Sequence, residues 1–236
     1  MQNPWSEIST KSKILPSDKP LIKEFNLRYR FSSKYQIQDK LFPEPFIGDP
    51  QAGVYLLNLN PGYKKNCDET WHAKKNFQEA AISNLKHSKP KSQYPFYFLD
   101  PRFAESPAAI WWKCRMRHLI EDVGLERIAR GIFCIELFPY HTASYKRFPI
   151  RISRNGLVPS SDYGTELVRR AIKERKLIVA MRATTQWCEF VKELRSYDRL
   201  ISLKNPRSVY LTPGNMDCYS HLCRELISGC PSTVSP

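Results

Sequence analysis

The sequence has no apolar run near the roughly 18 residues that a membrane-spanning helix needs, and its opening Met-Gln-Asn-Pro-Trp-Ser-Glu lacks the charged-then-apolar pattern of a secretory signal. Both absences lead to the expectation of a cytoplasmic protein. Cysteine is present but unpatterned: seven residues, at 67, 114, 134, 188, 218, 223 and 230, with no Cys-x-x-Cys pair. An odd count at these spacings argues against a disulfide framework, a zinc ribbon and an iron–sulfur cluster, and for buried or incidental thiols. The five histidines, at 72, 87, 118, 141 and 221, show no metal-ligand spacing, so neither a metal nor a cofactor is expected. No Gly-x-x-x-x-Gly-Lys occurs, and no Gly-x-Gly-x-x-Gly follows a strand, so nucleoside triphosphates and dinucleotides are not indicated.

Acidic residues are scarce beside basic ones, 23 against 37, which leaves a formal charge of +14. The basic residues are spread along the chain, with small groups at Lys64-Lys65, Lys74-Lys75, Arg115-Met116-Arg117, Lys146-Arg147 and Arg169-Arg170. Spread charge fits a folded phosphate-binding face, although a merely soluble basic protein has the same composition. The length, 236 residues, suffices for one substantial core.

Four runs rich in β-branched and aromatic residues read as buried strands: Val54–Asn60, Ile132–Phe138, Leu177–Met181 and Val209–Leu211. Helical spacing covers Ala108–Val123, Tyr163–Lys176, Thr185–Leu194 and Met216–Ile227, with Ser161 or Asp162 as a cap for the second. This alternation predicts an α/β fold, a three-layer α/β/α sandwich around a central four-stranded, mainly parallel sheet. Residues 50–236 form that domain. Residues 1–49, with an apolar and basic segment at Ile22–Tyr35 and a proline-rich turn at Phe42-Pro43-Glu44-Pro45, are expected to pack on it as a helical arm.

Ligands of open α/β sheets bind where the carboxyl ends of the strands meet their loops. After the first predicted strand comes Asn58-Leu59-Asn60-Pro61-Gly62-Tyr63, and after the last, Thr212-Pro213-Gly214-Asn215-Met216. An ordinary proline–glycine turn accounts for either motif locally. Glu136 is a carboxylate inside an apolar strand, which requires a partner or a task. An ion pair with an arginine is one answer, and His141, five residues on, is a possible donor to a base or phosphate.

The two turn motifs, in this order and each after a predicted strand, resemble those of the uracil-DNA glycosylase superfamily, especially its mismatch-specific branch. That branch carries Gly-Ile-Asn-Pro-Gly and, later, Asn-Pro-Ser-Gly-Leu. The resemblance covers about residues 50–228. It implies a monofunctional DNA glycosylase, working as a monomer on DNA, that flips out a pyrimidine and hydrolyses its bond to the sugar to leave an abasic site.

Matched position by position, the resemblance gives Asn60 the role of holding the attacking water, and places Gly62 beside carbon 5 of the flipped base. Met216, next to Asn215, would fill the vacated stack. Thr212 stands where the family contacts the departing base with histidine or asparagine, and Asn58 where it has glycine. Phe96 or Phe98 would be the stacking ring, and Glu136 would read the pairing edge of the base. Lys64, Lys65, Lys146 and Arg147 would meet phosphates. An ionised Glu136 only accepts hydrogen bonds, which suits the amine of cytosine, and glycine at 62 leaves space for a substituent. The substrate expected is therefore a 5-substituted cytosine, such as glucosylated hydroxymethylcytosine in phage DNA, removed as an antiviral defence. The alternatives are repair of uracil or thymine mismatches, and a non-catalytic sensor of modified DNA or nucleobase.

Overall fold

The computed structural model describes residues 1–88, 93–149, 151–153 and 156–229. Among these the sheet has five strands: β1 (Phe46–Gly48), β2 (Val54–Asn58), β3 (Ile132–Glu136), β4 (Leu177–Ala180) and β5 (Leu200–Ser202), in the order β1-β3-β2-β4-β5. The last four run parallel, and β1 pairs antiparallel with β3. The chain is thus α/β, but its sheet is five-stranded and mixed rather than four-stranded. β1 and β5 have three residues each, too few to show a period, and β1 lies at the end of the segment assigned to the helical arm.

The expected strand at Val209–Leu211 is absent from the sheet. The Leu211 N–H donates to the Arg115 carbonyl at 2.9 Å, so this apolar run docks on the end of a helix.

Between and around the strands lie α1 (Lys19–Arg28), α2 (Cys67–Ala73), α3 (Lys75–Leu85), α4 (Pro107–Arg115), α5 (Arg117–Val123), α6 (Leu125–Gly131), α7 (Ser161–Lys173), α8 (Thr184–Phe190) and α9 (Tyr219–Ser228). The single helix expected over Ala108–Val123 breaks at Met116 into α4 and α5. Its start is well specified, because Pro107 occupies the first turn and the Ser106 hydroxyl accepts the Ala109 N–H at 3.1 Å. The expected Thr185–Leu194 helix leaves α-geometry after Phe190 and continues as a 3-10 turn over Lys192–Ser196. The last helix starts at Tyr219, leaving Met216 in the preceding loop.

β2 and β3 are buried along their whole length, as strands covered on both faces must be. On one face, Tyr55 and Phe133 pack edge to face at 5.1 Å, and Phe46 lies 5.6 Å from Phe133. Gly164 of α7 rests on the same face, where an added Cβ would come within 3.3 Å of the Ile135 side chain. From β2 the chain crosses to β3 on one side, and from β3 it passes back over β2 to β4 on the other. Right-handed crossovers therefore put α7 and the helices between β2 and β3 on opposite faces. The carboxyl ends of β2 and β3 flank the point where the connections diverge, the position at which such sheets open a crevice.

The N-terminal segment is fastened by a buried carboxylate. Asp18 is fully buried and accepts hydrogen bonds from the Tyr140 hydroxyl at 2.8 Å, the Ser160 N–H at 3.1 Å and the Ser160 hydroxyl. Burial raises its pKa, and these donors oppose the rise. The six cysteines among the described residues are free thiols, with Cys134 buried; Cys230 lies outside the described residues. No helix among the described residues is long and apolar enough to cross a membrane.

Candidate active site at the strand ends

A cavity of about 660 Å³ opens at the carboxyl ends of β2 and β3. Asn58 and Glu136 are register partners on the two strands, so backbone pairing alone brings their side chains together. Beyond them the two segments stay bonded: the Phe138 N–H donates to the Leu59 carbonyl at 2.8 Å and the Thr142 N–H to the Pro61 carbonyl at 3.3 Å. Asn60, Gly62, His141 and Thr142 are thereby held around the same hollow, with Lys64 at its rim.

Asn58 donates through Nδ2 to Glu136 Oε1 at 2.9 Å, which leaves Asn58 Oδ1 and Glu136 Oε2 buried without partners. An unpaired buried polar atom costs about 1–3 kcal/mol, so two on adjacent side chains facing a cavity mark a place where a ligand would complete the set. Burial is the main force on Glu136. With Glu44 also raising it, and with Asn58, Arg182 and His141 opposing, its carboxyl is pushed up to about 8. At neutral pH the side chain is mainly protonated. This corrects the expectation of a purely accepting carboxylate, since Oε2 can carry the proton and donate. The alternative of an arginine ion pair is not realised among the described residues, although Arg182 lies close enough to act on the carboxyl electrostatically.

The Asn60 amide is fixed by its two donors: Nδ2 donates to the Pro61 carbonyl at 2.8 Å and to Thr142 Oγ1 at 3.0 Å. Its Oδ1 is left as an acceptor at the cavity. Gly62 has nothing within 4 Å of where a Cβ would stand, so the space beside it is open.

His141 borders the cavity, but both its nitrogens are engaged by carbonyl oxygens: Nδ1 by Gly62 at 2.7 Å and Nε2 by Phe42 at 3.0 Å. Carbonyls only accept, so both nitrogens carry protons and the ring is an imidazolium. Burial works against that charge, but the Glu44 carboxylate 3.3 Å from Nε2, the Gly62 hydrogen bond and Asp68 outweigh it and hold the pKa up at about 9. His141 is thus a clamp on the Gly62 turn, not the free donor expected.

Glu44, His72 and His141 form a buried cluster with metal-ligand proximity. The donor set does not fit a cation, because His141 has no free lone pair and His72 Nδ1 is taken by the Phe42 N–H at 3.0 Å. Burial, with His141 adding to it, lowers the His72 pKa well below normal. The cluster is an internal ion pair beside a neutral imidazole.

Several expected members lie elsewhere. Phe96 and Phe98 are fully buried, Phe96 edge to face with Trp112 at 5.0 Å and Phe98 tilted on Phe77 and Tyr97, so neither can take a base. The partly exposed aromatic rings at the cavity are instead Trp71, Trp111, Tyr63 and Tyr145, with Phe77 and Trp112 buried behind them. Met216 is 1% exposed and cannot act as a wedge. Asn215 organises its own loop, donating through Nδ2 to the Ser208 and Tyr210 carbonyls and accepting the Asn205 N–H. Thr212 caps that loop by accepting the Asn215 N–H at 3.3 Å and does not line the cavity. Lys65 and Lys146 are exposed; Arg147 is exposed too and pairs with Glu189 at 3.3 Å.

Arg182, which the motifs did not single out, follows β4 and lines the cavity. Its guanidinium carbon lies 5.9 Å from the Trp111 ring centre, and it makes no ion pair among the described residues. Its position two residues beyond a strand end was the available signal. A larger hollow, about 1240 Å³, lies on the other face of α3 around Asn76, Ser83 and His87 and contains none of these residues.

Comparison of the chain with protein-family models, with curated proteins and with solved structures finds no match.

Proposed function

We infer that the protein is a monofunctional DNA glycosylase that takes a flipped pyrimidine, favouring a 5-substituted cytosine, into the cavity at the ends of β2 and β3. One observation carries this reading: a tethered amide, Asn60, presents its acceptor oxygen in the same cavity as the two unpaired buried atoms of Asn58 and Glu136. The pair offers an acceptor, Asn58 Oδ1, beside a protonated Glu136 Oε2. Cytosine complements it, with the amine donating to Asn58 and N3 accepting from Glu136; uracil does so too, through N3–H and a carbonyl, so the preference for a substituted base rests on the space beside Gly62. The volume falls within the roughly 300–1,000 Å³ of ligand pockets, and the open side of Gly62 leaves room for a group on carbon 5.

In the reaction, Asn60 Oδ1 accepts a hydrogen bond from a water and aims it at the anomeric carbon. As the glycosidic bond breaks, its electron pair leaves with the base and positive charge develops on the sugar, so the water needs orienting more than deprotonating; once its oxygen has bonded to the anomeric carbon it gives a proton to solvent, and the departed base takes one up. The Arg182 guanidinium is the cation placed to meet the negative charge of the departing base, the task assigned from the motifs to Thr212. Trp111 or Trp71 supplies the stacking face in place of Phe96 and Phe98.

The test is a panel of DNAs bearing cytosine, its 5-substituted derivatives, uracil and thymine mismatches, with the freed base identified by mass spectrometry. Release of a substituted cytosine from the parent protein is expected. Asn60→Ala should abolish release while DNA binding persists, and Arg182→Gln should slow it by about 10²–10³-fold. Release of uracil or thymine alone would overturn the substrate assignment. Binding of modified DNA without release of any base would make the protein a sensor.

A further inference from the structure

With Met216 buried, the surface needs another apolar group if a DNA strand is to be held next to the cavity. The most exposed large hydrophobic side chain among the described residues is Phe31, at 89%, in the turn after α1. Around it basic and aromatic residues alternate. The Arg30 guanidinium lies 4.6 Å from the Phe31 ring centre, Lys34 lies 4.9 Å from Tyr35, and Lys146 lies 4.6 Å from Tyr29 and 4.7 Å from Tyr35. Arg28 is 5.9 Å from Tyr29.

None of these four cations forms an ion pair among the described residues. By contrast, Arg102, Arg130, Arg170, Arg175 and Arg199 each contact a carboxylate at 2.6–2.7 Å. Positive charge resting on rings rather than on carboxylates stays available to an outside anion. The corner is also fixed in place: Tyr29 packs on buried Phe25 at 4.7 Å, and the Ser144 N–H donates to the Lys34 carbonyl at 2.8 Å. Ser144 and Tyr145 wall the cavity, so Lys146 is one residue beyond that wall.

We propose that the turn from Arg28 to Lys34, together with Lys146, is a strand-binding corner for DNA, in which Phe31 stacks on an unpaired base and the four cations meet its phosphates. The chemistry is that of single-strand binding, where aromatic faces take bases and basic residues track the backbone. An anionic membrane would want a broad apolar face, whereas α1 turns Ile22 and Phe25 into the core. The choice of DNA over RNA rests on the function proposed above; the surface itself does not.

The full-length protein, binding a fluorescent single-stranded oligonucleotide, provides the test. Phe31→Ala is expected to weaken binding about 5- to 150-fold, the range of one lost stack, and Phe31→Trp to restore it. Arg30→Glu with Lys34→Glu should weaken binding and make it less salt-sensitive, since each lost phosphate contact removes about 0.7 from the slope. All of these side chains are exposed, so unchanged thermal unfolding will show that the variants fold. Parent-like binding by both the Phe31→Ala and the charge-reversed proteins would overturn the proposal. So would loss of binding to vesicles containing phosphatidylserine with DNA binding intact. Because the readout is binding, the result stands whether or not any base is released.

Discussion

Glu136 shows how one burial sets several properties. Its carboxyl is raised from 4.5 to about 8, so between those values the folded state keeps a proton that the unfolded chain has lost. Its contribution to stability falls as pH rises from about 4.5 to about 8. His141 is raised from 6.5 to about 9; its contribution is complete below 6.5 and disappears as pH climbs through 9. The melting temperature is therefore expected to decline from about pH 6.5 to pH 9; at lower pH the loss at Glu136 is opposed by His72 and His87, whose pKa values burial lowers and which gain stability as pH rises towards 6.5. In Glu136→Gln the decline between pH 6.5 and pH 8 should be shallower, because His141 alone is left to drive it, and a variant that keeps the parent's slope there would contradict this account. The same residue marks what the sequence could convey. A carboxylate in an apolar strand announces a task, and Asn58, Asn60, Gly62 and Glu136 were all legible as strand-end residues that meet. Protonation was not legible, because it depends on the depth of burial and on Glu44, 92 positions away in the chain.

At the scale of elements, long buried strands were readable and short ones were not. β2, β3 and β4 are runs dominated by aliphatic and aromatic residues, the composition of strands covered on both faces. β5 is three partly exposed residues, and β1 follows two prolines. Val209–Leu211 has the composition of a strand but pairs with a helix end, a distinction composition does not carry. The aromatic run at 94–98 failed for a related reason, since a ring that fills the core and one that lines a pocket read alike. Yet β1 matters to the site. The Glu136 N–H donates to the Pro45 carbonyl at 2.9 Å, just before β1 begins. Gly48, at φ +108°, closes that strand where a Cβ would meet the Ile132 carbonyl at 2.4 Å. Gly48→Ala is expected to cost about 1–3 kcal/mol from backbone strain alone, with the collision adding to it, as read from the urea midpoint. A wild-type midpoint would mean that β1 can leave β3 without penalty.

For the whole molecule, the excess of positive charge predicts a steep salt dependence of duplex binding. Replacing Lys64 and Lys65 by alanine should reduce the slope of log affinity against log salt by about 0.9 for each phosphate contact removed; an unchanged slope would place the duplex elsewhere on the surface. The candidate site also draws on parts of the chain that are far apart. The bond from His141 to the Phe42 carbonyl spans 99 positions, and that from Asn60 to Thr142 spans 82. Contacts that close long loops bear their entropy cost before they return any stability. The shape of the Gly62 turn depends on the Phe42–Pro45 segment reaching the end of β3, through His141. A fragment lacking Phe42–Pro45 would therefore lack the clamp on the Gly62 turn, whatever became of its sheet.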